Sequence, residues 1–492
     1  MQPEADPLAF VQTEEGTLAG RLRGGVRSFL GIPYAAPPVG LLRFRPPEPP
    51  AAWSGLRRAT GFAAAAPQPA DAGFFPGDPD AMPVCPQSED CLYLNVWAPE
   101  AEGPHPVLVW FHGGSQIIGG TARPVYDGAA FAKAGIVCVT VGFRLGALGY
   151  LALGDQLGSD YAQSGHSALL DQMMALRWVQ RNVAAFGGDP ARVTLGGESA
   201  GAKNIAALMA APTAKGLFRA AILQSGGGDS VHTPEEAERV AHRFLALAGV
   251  SAARELLHLP VAALLAVQAR LLAEGGRRFP FRPVIGTPVL PLHPVAGIRQ
   301  DLGGRHALLI GTTRDEYAPH LAIAAEAAGW PAETLAHFTP ARLAAIAEKA
   351  AQLWPELPRA ALRARLLAAE GYHVPSARLA EAHAAKGAAT WVYRFDLPLP
   401  QGPLAGRVLH TADLSPTWAQ RSRYDSLPGR PADGMHRLVS AFVQSGQVDW
   451  PAYTPTGRLT ALIGHRVALA SDPGGALHRL FGDPDLAAAV GL

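Results

Sequence analysis

The stretch Val193-Thr194-Leu195-Gly196-Gly197-Glu198-Ser199-Ala200-Gly201, with the helix-forming run Lys203 to Met209 behind it, constrains this chain more than any other. Three β-favouring or apolar residues lead into glycines, one serine stands between small neighbours, and an alanine-rich run follows. That order predicts a strand, a sharp turn with Ser199 at its apex, and a helix. The small residues at 197 and 201 have a steric reason. A strand-to-helix turn this tight strains the serine backbone, and only small flanking residues let strand and helix approach so closely. With 54 glycines in 492 residues, a Gly-x-Ser-x-Gly match also arises by chance as an ordinary glycine-rich turn, so its meaning depends on its surroundings.

Those surroundings alternate. Pro106 to Phe111 and Ile136 to Val141 are continuous apolar runs, as in parallel strands covered on both faces, and the first leads directly into His112-Gly113-Gly114-Ser115-Gln116. Residues 167 to 186 carry Leu169, Leu170, Met173, Leu176, Trp178, Val179 and Val183 on a helical period, ended by Gly187-Gly188-Asp189-Pro190. Ala220 to Gln224, His306 to Ile310 and Thr390 to Phe395 read as further core strands, and Met435 to Val443 as a late helix. Residues 9 to 34 read as edge hairpins, Ser88 to Trp97 as a strand, and residues 62 to 84 as a long exposed loop. Between 320 and 385 the chain turns rich in Ala, Leu, Glu and Arg with helical spacing, a helical cap broken by Pro331, Pro340, Pro355 and Pro358. The pattern predicts an α/β fold with a mostly parallel central sheet and helices on both faces. No linker, charge block or repeat divides residues 1 to 492, so a single domain is expected.

Composition narrows the partners. A net charge of +1 with scattered arginines gives no basic stripe for nucleic acid. No apolar run reaches the ~18 residues of a membrane span. The N-terminus has neither cationic start nor apolar core, so no leader and a cytoplasmic location are expected. Three cysteines, Cys85, Cys91 and Cys138, suit neither a disulfide framework nor a zinc site. A small, neutral molecule is the expected partner, and a monomer the expected state.

Several blocks together resemble one family, the type-B carboxylesterases, the cholinesterase and para-nitrobenzyl esterase group of the α/β-hydrolase superfamily. They are Gly31-Ile32-Pro33-Tyr34-Ala35, Glu89-Asp90-Cys91-Leu92-Tyr93-Leu94-Asn95-Val96, His112-Gly113-Gly114, Asp171-Gln172 through Trp178, Phe186-Gly187-Gly188-Asp189-Pro190, Gly197-Glu198-Ser199-Ala200-Gly201 and Asp315-Glu316. The resemblance runs from about Gly16 to about Pro473. It implies an α/β-hydrolase fold and a serine esterase acting on uncharged esters through an acyl-enzyme, with neither metal nor organic cofactor.

By the same resemblance Ser199 is the nucleophile. Glu316, in Gly311-Thr312-Thr313-Arg314-Asp315-Glu316, is the catalytic acid, with Asp315 its nearest competitor. His410, in His410-Thr411-Ala412-Asp413-Leu414, is the base, with His383 and His436 as outsiders, and Asp413 stands where the family has Glu. The backbone N–H groups of Gly114, Ser115 and Ala200 are the implied oxyanion donors, with Glu198 and Ser225 beside the triad. Arg43 with Glu89 and Arg144 with Asp171 match buried ion pairs, and all three thiols are expected free.

Besides Asp413, four positions depart from the pattern: Ser115, Gln116, Gly142 and His166. Gln116 replaces an aromatic residue, which suggests an open loop with room for bulky alcohol groups. The implied chemistry is proton transfer from Ser199 to an imidazole oriented by a carboxylate. The family also contains catalytically inactive binding proteins of the same fold, but these lose triad members that are present here. Acyl transfer to an alcohol, or cleavage of amides or carbamates, stays open.

Overall fold

The computed structural model describes residues 7–69, 86–274, 280–317, 338–402, 404–420, 424–427 and 433–482. The described strands form one sheet, numbered in chain order: β1 (Leu8–Gln12), β2 (Thr17–Arg23), β3 (Val26–Pro33), β4 (Leu56–Arg58), β5 (Tyr93–Pro99), β6 (His105–Phe111), β7 (Val137–Val141), β8 (Gly188–Glu198), β9 (Ala220–Gln224), β10 (Ala307–Thr313), β11 (Thr390–Phe395), β12 (Leu459–Ile463) and β13 (Val467–Ser471). The spatial order is β1-β2-β3-β5-β7-β6-β8-β9-β10-β11-β12-β13, with β4 alongside β2. From β7 to β12 every pairing is parallel. The edges β1-β2-β3-β5-β7 and β12-β13 are antiparallel.

Strand β6 shows why its sequence reads as an unbroken apolar run. Val107, Val109 and Phe111 join one core, with Leu176, Trp178 and Ile205, while Leu108 and Trp110 join a second, with Phe131, Trp418 and Phe442. Side chains alternate across a strand, so a strand buried on both faces has no polar position to offer. Helix α1 (Ser167–Asn182) and helix α2 (Ala200–Leu208) contribute to the first core, and the late helix Asp433–Ser445 to the second.

Residues 88 to 92 of the expected Ser88 to Trp97 strand instead make tight turns, with the Cys91 N–H donating to the Glu89 carbonyl and the Tyr93 N–H to the Cys91 carbonyl, and the strand starts at Tyr93. Within the proposed cap, helices run over Pro340–Leu353, Arg359–Ala368 (α3) and Val374–Ala385 (α4). Residues 318–337 of that region, residues 70–84 of the expected loop, and Cys85 lie outside the described residues. Cys91 and Cys138 are buried free thiols.

Both expected ion pairs form. Arg43 grips Glu89 with two hydrogen bonds of 2.7 and 2.6 Å and donates to the carbonyls of Leu256 and Leu259. Arg144 grips Asp171 at 2.8 and 2.6 Å, with side-chain exposures of 3% and 0%. Removing one partner of a pair this buried costs roughly 3 to 5 kcal/mol, because the other charge is stranded.

Candidate active site

Strands β6 and β8 are neighbours whose outgoing connections run in opposite directions, from β6 to β7 on one side and from β8 to β9 on the other, and open α/β sheets bind ligands beyond the carboxyl ends of strands at such a reversal. The loops at these carboxyl ends carry the residues singled out by the sequence.

Ser199 sits between the end of β8 and the start of α2 with φ 53° and ψ −117°, a left-handed backbone rare for a non-glycine residue. Its N–H donates to the Gln224 carbonyl at 2.8 Å, the last rung of the β8–β9 ladder. Packing explains the small neighbours. A Cβ on Gly201 would stand 2.0 Å from the Phe111 carbonyl oxygen, and one on Gly113 would stand 2.5 Å from Glu198 Oε2 and 3.2 Å from Ser199 Cβ. The loop after β6 therefore lies directly against the serine. Within it Gly114, Ser115 and Gln116 all have positive φ, of 119°, 54° and 65°.

That loop is not open, contrary to the expectation drawn from its missing aromatic. Gln116 is buried, its Nε2 donates to Asn204 Oδ1 at 3.2 Å, and its carbonyl accepts from the Gly146 N–H at 2.7 Å. The amide ties the loop down where an aromatic would fill space, so the premise for extra room is absent. Gly142 and His166 are likewise used in packing: the Gly142 carbonyl accepts from the Tyr34 hydroxyl at 2.6 Å, and His166 Nε2 is 2.9 Å from Thr287 Oγ1.

Beyond β10 the chain turns through Glu316, whose φ is 55°. The Glu316 N–H donates to Val408 O and Thr313 Oγ1, while the His410 N–H donates back to the Glu316 carbonyl at 2.8 Å. This short bridge holds the two side chains together: His410 Nδ1 lies 2.6 Å from Glu316 Oε2. The other carboxylate oxygen, Oε1, accepts from Ser225 Oγ at 2.7 Å and from the Thr313 N–H at 2.9 Å. The remaining ring nitrogen, His410 Nε2, lies 3.2 Å from Glu198 Oε1. Asp315 points elsewhere, accepting from the Val408 N–H and pairing with Arg314. His383 contacts Thr390 and His436 contacts the Thr417 carbonyl, so neither competitor reaches the acid.

Charge and burial set the titration of the cluster. Burial alone would lift Glu316, but the facing His410 and its hydrogen bonds hold the carboxyl below its ordinary range. Burial pushes Glu198 up to about 7; the pull of His410 opposes this, and Asp413 and Glu316 add to it. Burial works against the His410 imidazolium, yet the carboxylates of Glu198 and Glu316 outweigh it and raise the pKa above the ordinary 6.5. Asp413 lies apart from the imidazole. It accepts from the Tyr393 hydroxyl at 2.8 Å and Gln224 Nε2 at 3.0 Å, and burial lifts it to about 6.

Three neighbours escaped the sequence reading. Thr313 caps the Glu316 turn with its hydroxyl and its N–H. Tyr372 lies with its ring 4.5 Å from that of His410 and takes Lys203 Nζ on its own face at 4.9 Å. His373 Nε2 is 3.0 Å from the Thr313 carbonyl. The last two come from Ala369–His373, a π-helical turn between α3 and α4. Such turns gather at functional sites, but no periodicity in the sequence announces this one.

A parallel sheet with this crossover order, a serine on the tight turn after a central strand, and a carboxylate–histidine pair on later loops define an α/β-hydrolase. The model of the Carboxylesterase family matches residues 7–448. The para-nitrobenzyl esterase of Bacillus subtilis (strain 168) is 35% identical across 94% of this chain and 96% of its own length, and the phenmedipham hydrolase of Pseudarthrobacter oxydans is 34% identical across 92% and 90%. A solved carboxylesterase of Geobacillus stearothermophilus superposes with a TM-score of 0.82 at 34% identity, covering 96% of this chain and all of that one. The chain belongs to the Carboxylesterase family and is a carboxylic ester hydrolase. Among the described residues no helix is long and apolar enough to cross a membrane.

Proposed function

We propose that Ser199, His410 and Glu316 form a catalytic triad that hydrolyses uncharged carboxylic esters through an acyl-enzyme. The observation that carries this reading is the 2.6 Å contact from His410 Nδ1 to Glu316 Oε2, on loops beside a serine held at φ 53°. A hydroxyl is a weak nucleophile at neutral pH and needs a base. His410 takes the Ser199 proton as Oγ attacks the ester carbonyl, then returns it to the departing alcohol. Glu316 fixes the tautomer that leaves Nε2 able to accept, and stabilises the imidazolium. Water repeats the cycle on the acyl-enzyme, releasing the acid and restoring the serine.

The N–H groups of Gly114, Ser115 and Ala200 are the proposed oxyanion donors. Backbone donors are indifferent to their own side chains, so serine at 115 is compatible with the role. Losing one such donor typically costs about 10² to 10³ in kcat. The loop's positive φ values and the close approach of Gly113 to Ser199 support this assignment.

The test is hydrolysis of para-nitrophenyl butyrate by the native protein and by Ser199→Ala. The expected loss in kcat is on the order of 10⁶, with the variant as stable as the native chain. Retention of most of the activity would remove Ser199 from the mechanism. Butyl ester formed in added butanol would favour acyl transfer over simple hydrolysis.

A further inference from the structure

A cavity of about 500 Å³ lies on the sheet under the cap, and neither Ser199, Glu316 nor His410 lines it. Its floor comes from β10, β11 and Thr460 of β12, and α3 and α4 close over it with small residues, Ala364, Ala368 and Ala377. The rest of the lining mixes apolar side chains such as Leu357, Val374 and Leu477 with polar ones, and its charges are unbalanced. Arg314, Arg365, Arg394, Arg407 and Arg458 line it, against Asp315 and Asp472, with no lysine or glutamate.

Three of these arginines are already committed. Arg314 pairs with Asp315 at 3.0 Å, Arg394 with Asp396 at 2.6 Å, and Arg458 with Asp472 at 3.3 Å and with Glu381. Arg365 stacks over Trp354 at 4.1 Å, a contact that uses its flat face and leaves its N–H edge available. Among the described residues neither Arg365 nor Arg407 has a carboxylate within ion-pair distance. A second observation points the same way. Ser376 lines the cavity, is only 6% exposed, and its Oγ has no hydrogen-bond partner. A buried hydroxyl left unpaired is unfavourable, and a ligand would relieve that cost.

We propose that this cavity binds an organic anion with an apolar tail. Its carboxylate is held by Arg365 and Arg407, its chain lies along the alanine-lined wall, and the Ser376 hydroxyl supplies a further polar contact. Planar guanidinium groups suit a carboxylate because they present paired donors. A volume of this size falls within the range of small-molecule sites. The proposed ligand contacts, Arg365, Arg407 and Ser376, are separate from Ser199, Glu316 and His410, although Asp315, Tyr317 and His373 on the cavity wall adjoin the Glu316 turn.

Octanoate is the probe, and 1-octanol the uncharged control of equal length. Binding is measured by titration calorimetry on the full chain after Ser199 has been treated with phenylmethylsulfonyl fluoride, which keeps octanoate out of the esterase site. The expected result is one octanoate per chain, with 1-octanol at least tenfold weaker. Arg365→Gln with Arg407→Gln should weaken octanoate at least tenfold, and Ser376→Ala about threefold. Absence of binding, equal affinity for 1-octanol, or an unchanged dissociation constant in the double arginine variant would each overturn the proposal. Failure of the reagent to label Ser199 would count against the proposed esterase mechanism instead, and the arginine variants would still decide the cavity.

Discussion

The two halves of the site are held in place by different means. On the nucleophile side the backbone does the holding: Ser199 and the loop after β6 sit in left-handed conformations, and Gly113 and Gly201 approach their neighbours too closely for any side chain. On the acid side a short main-chain bridge brings the Glu316 turn and His410 together, and the carboxylate is then set by separate hydrogen bonds: it accepts from the Ser225 hydroxyl and the Thr313 N–H and lies against His410 Nδ1. Backbone-set geometry should fail all at once when a methyl group is added. Geometry set by side chains should decline stepwise as contacts are removed.

The largest effect on the acid side is expected from Glu316→Gln. An amide at Oε2 can offer its NH₂ to Nδ1, favouring the tautomer in which Nε2 carries the proton and cannot act as base. The expected loss is about 10⁴ in kcat on para-nitrophenyl butyrate, with thermal stability little changed. A loss of less than tenfold would mean that Glu316 does not orient the imidazole.

Gly201→Ala tests the other half. Its Cβ would meet a backbone carbonyl at 2.0 Å, and backbone cannot swing aside as a side-chain end can. The expected cost exceeds ~4 kcal/mol in urea unfolding, in the range reserved for severe overpacking. A variant of native stability and activity would break the contrast, because the elbow would then be as tolerant as the acid side. Ser225→Ala is the matching small change. It removes one of the two donors on Glu316 Oε1 and leaves the Thr313 N–H, so about a tenfold fall in kcat is expected, roughly 1.4 kcal/mol on the barrier. An all-or-none loss there would erase the distinction between the halves.

The same contrast explains what could be read from the chain. Steric limits act on residue identity at adjacent positions, so Gly197-Glu198-Ser199-Ala200-Gly201 carries a dense local signature and the strand, turn and helix around it are legible. The core strands are legible too, since burial on both faces leaves the apolar run Pro106 to Phe111 in β6 and a β7 whose one polar side chain, Thr140, is satisfied by Asn95. The acid side is made by contacts between residues far apart in sequence, such as Ser225 with Glu316 and Tyr372 with His410. No spacing records such a contact, and family resemblance alone nominated Glu316 and His410. Gln116 shows the opposite error. Its replacement of an aromatic residue read as empty space, because a sequence does not reveal that Asn204, on the helix after the serine, would take up its amide.

The finest test lies in pH. Catalysis as proposed needs His410 neutral at Nε2, so kcat/KM should fall on the acid side as the ring is protonated. The carboxylates around it stabilise the charged ring, so the midpoint of that fall is expected above the ordinary imidazole value of 6.5. Glu198 is the foremost of those influences and itself titrates near 7. The observed limb therefore belongs to the pair. Glu198→Gln removes the negative charge 3.2 Å from Nε2 and makes the imidazolium less favourable, so activity should persist to lower pH than in the native protein. A limb that stays in place would mean Glu198 is neutral throughout the range where His410 titrates. A limb that moves upward would contradict the sign of the interaction between the Glu198 carboxylate and the His410 imidazolium.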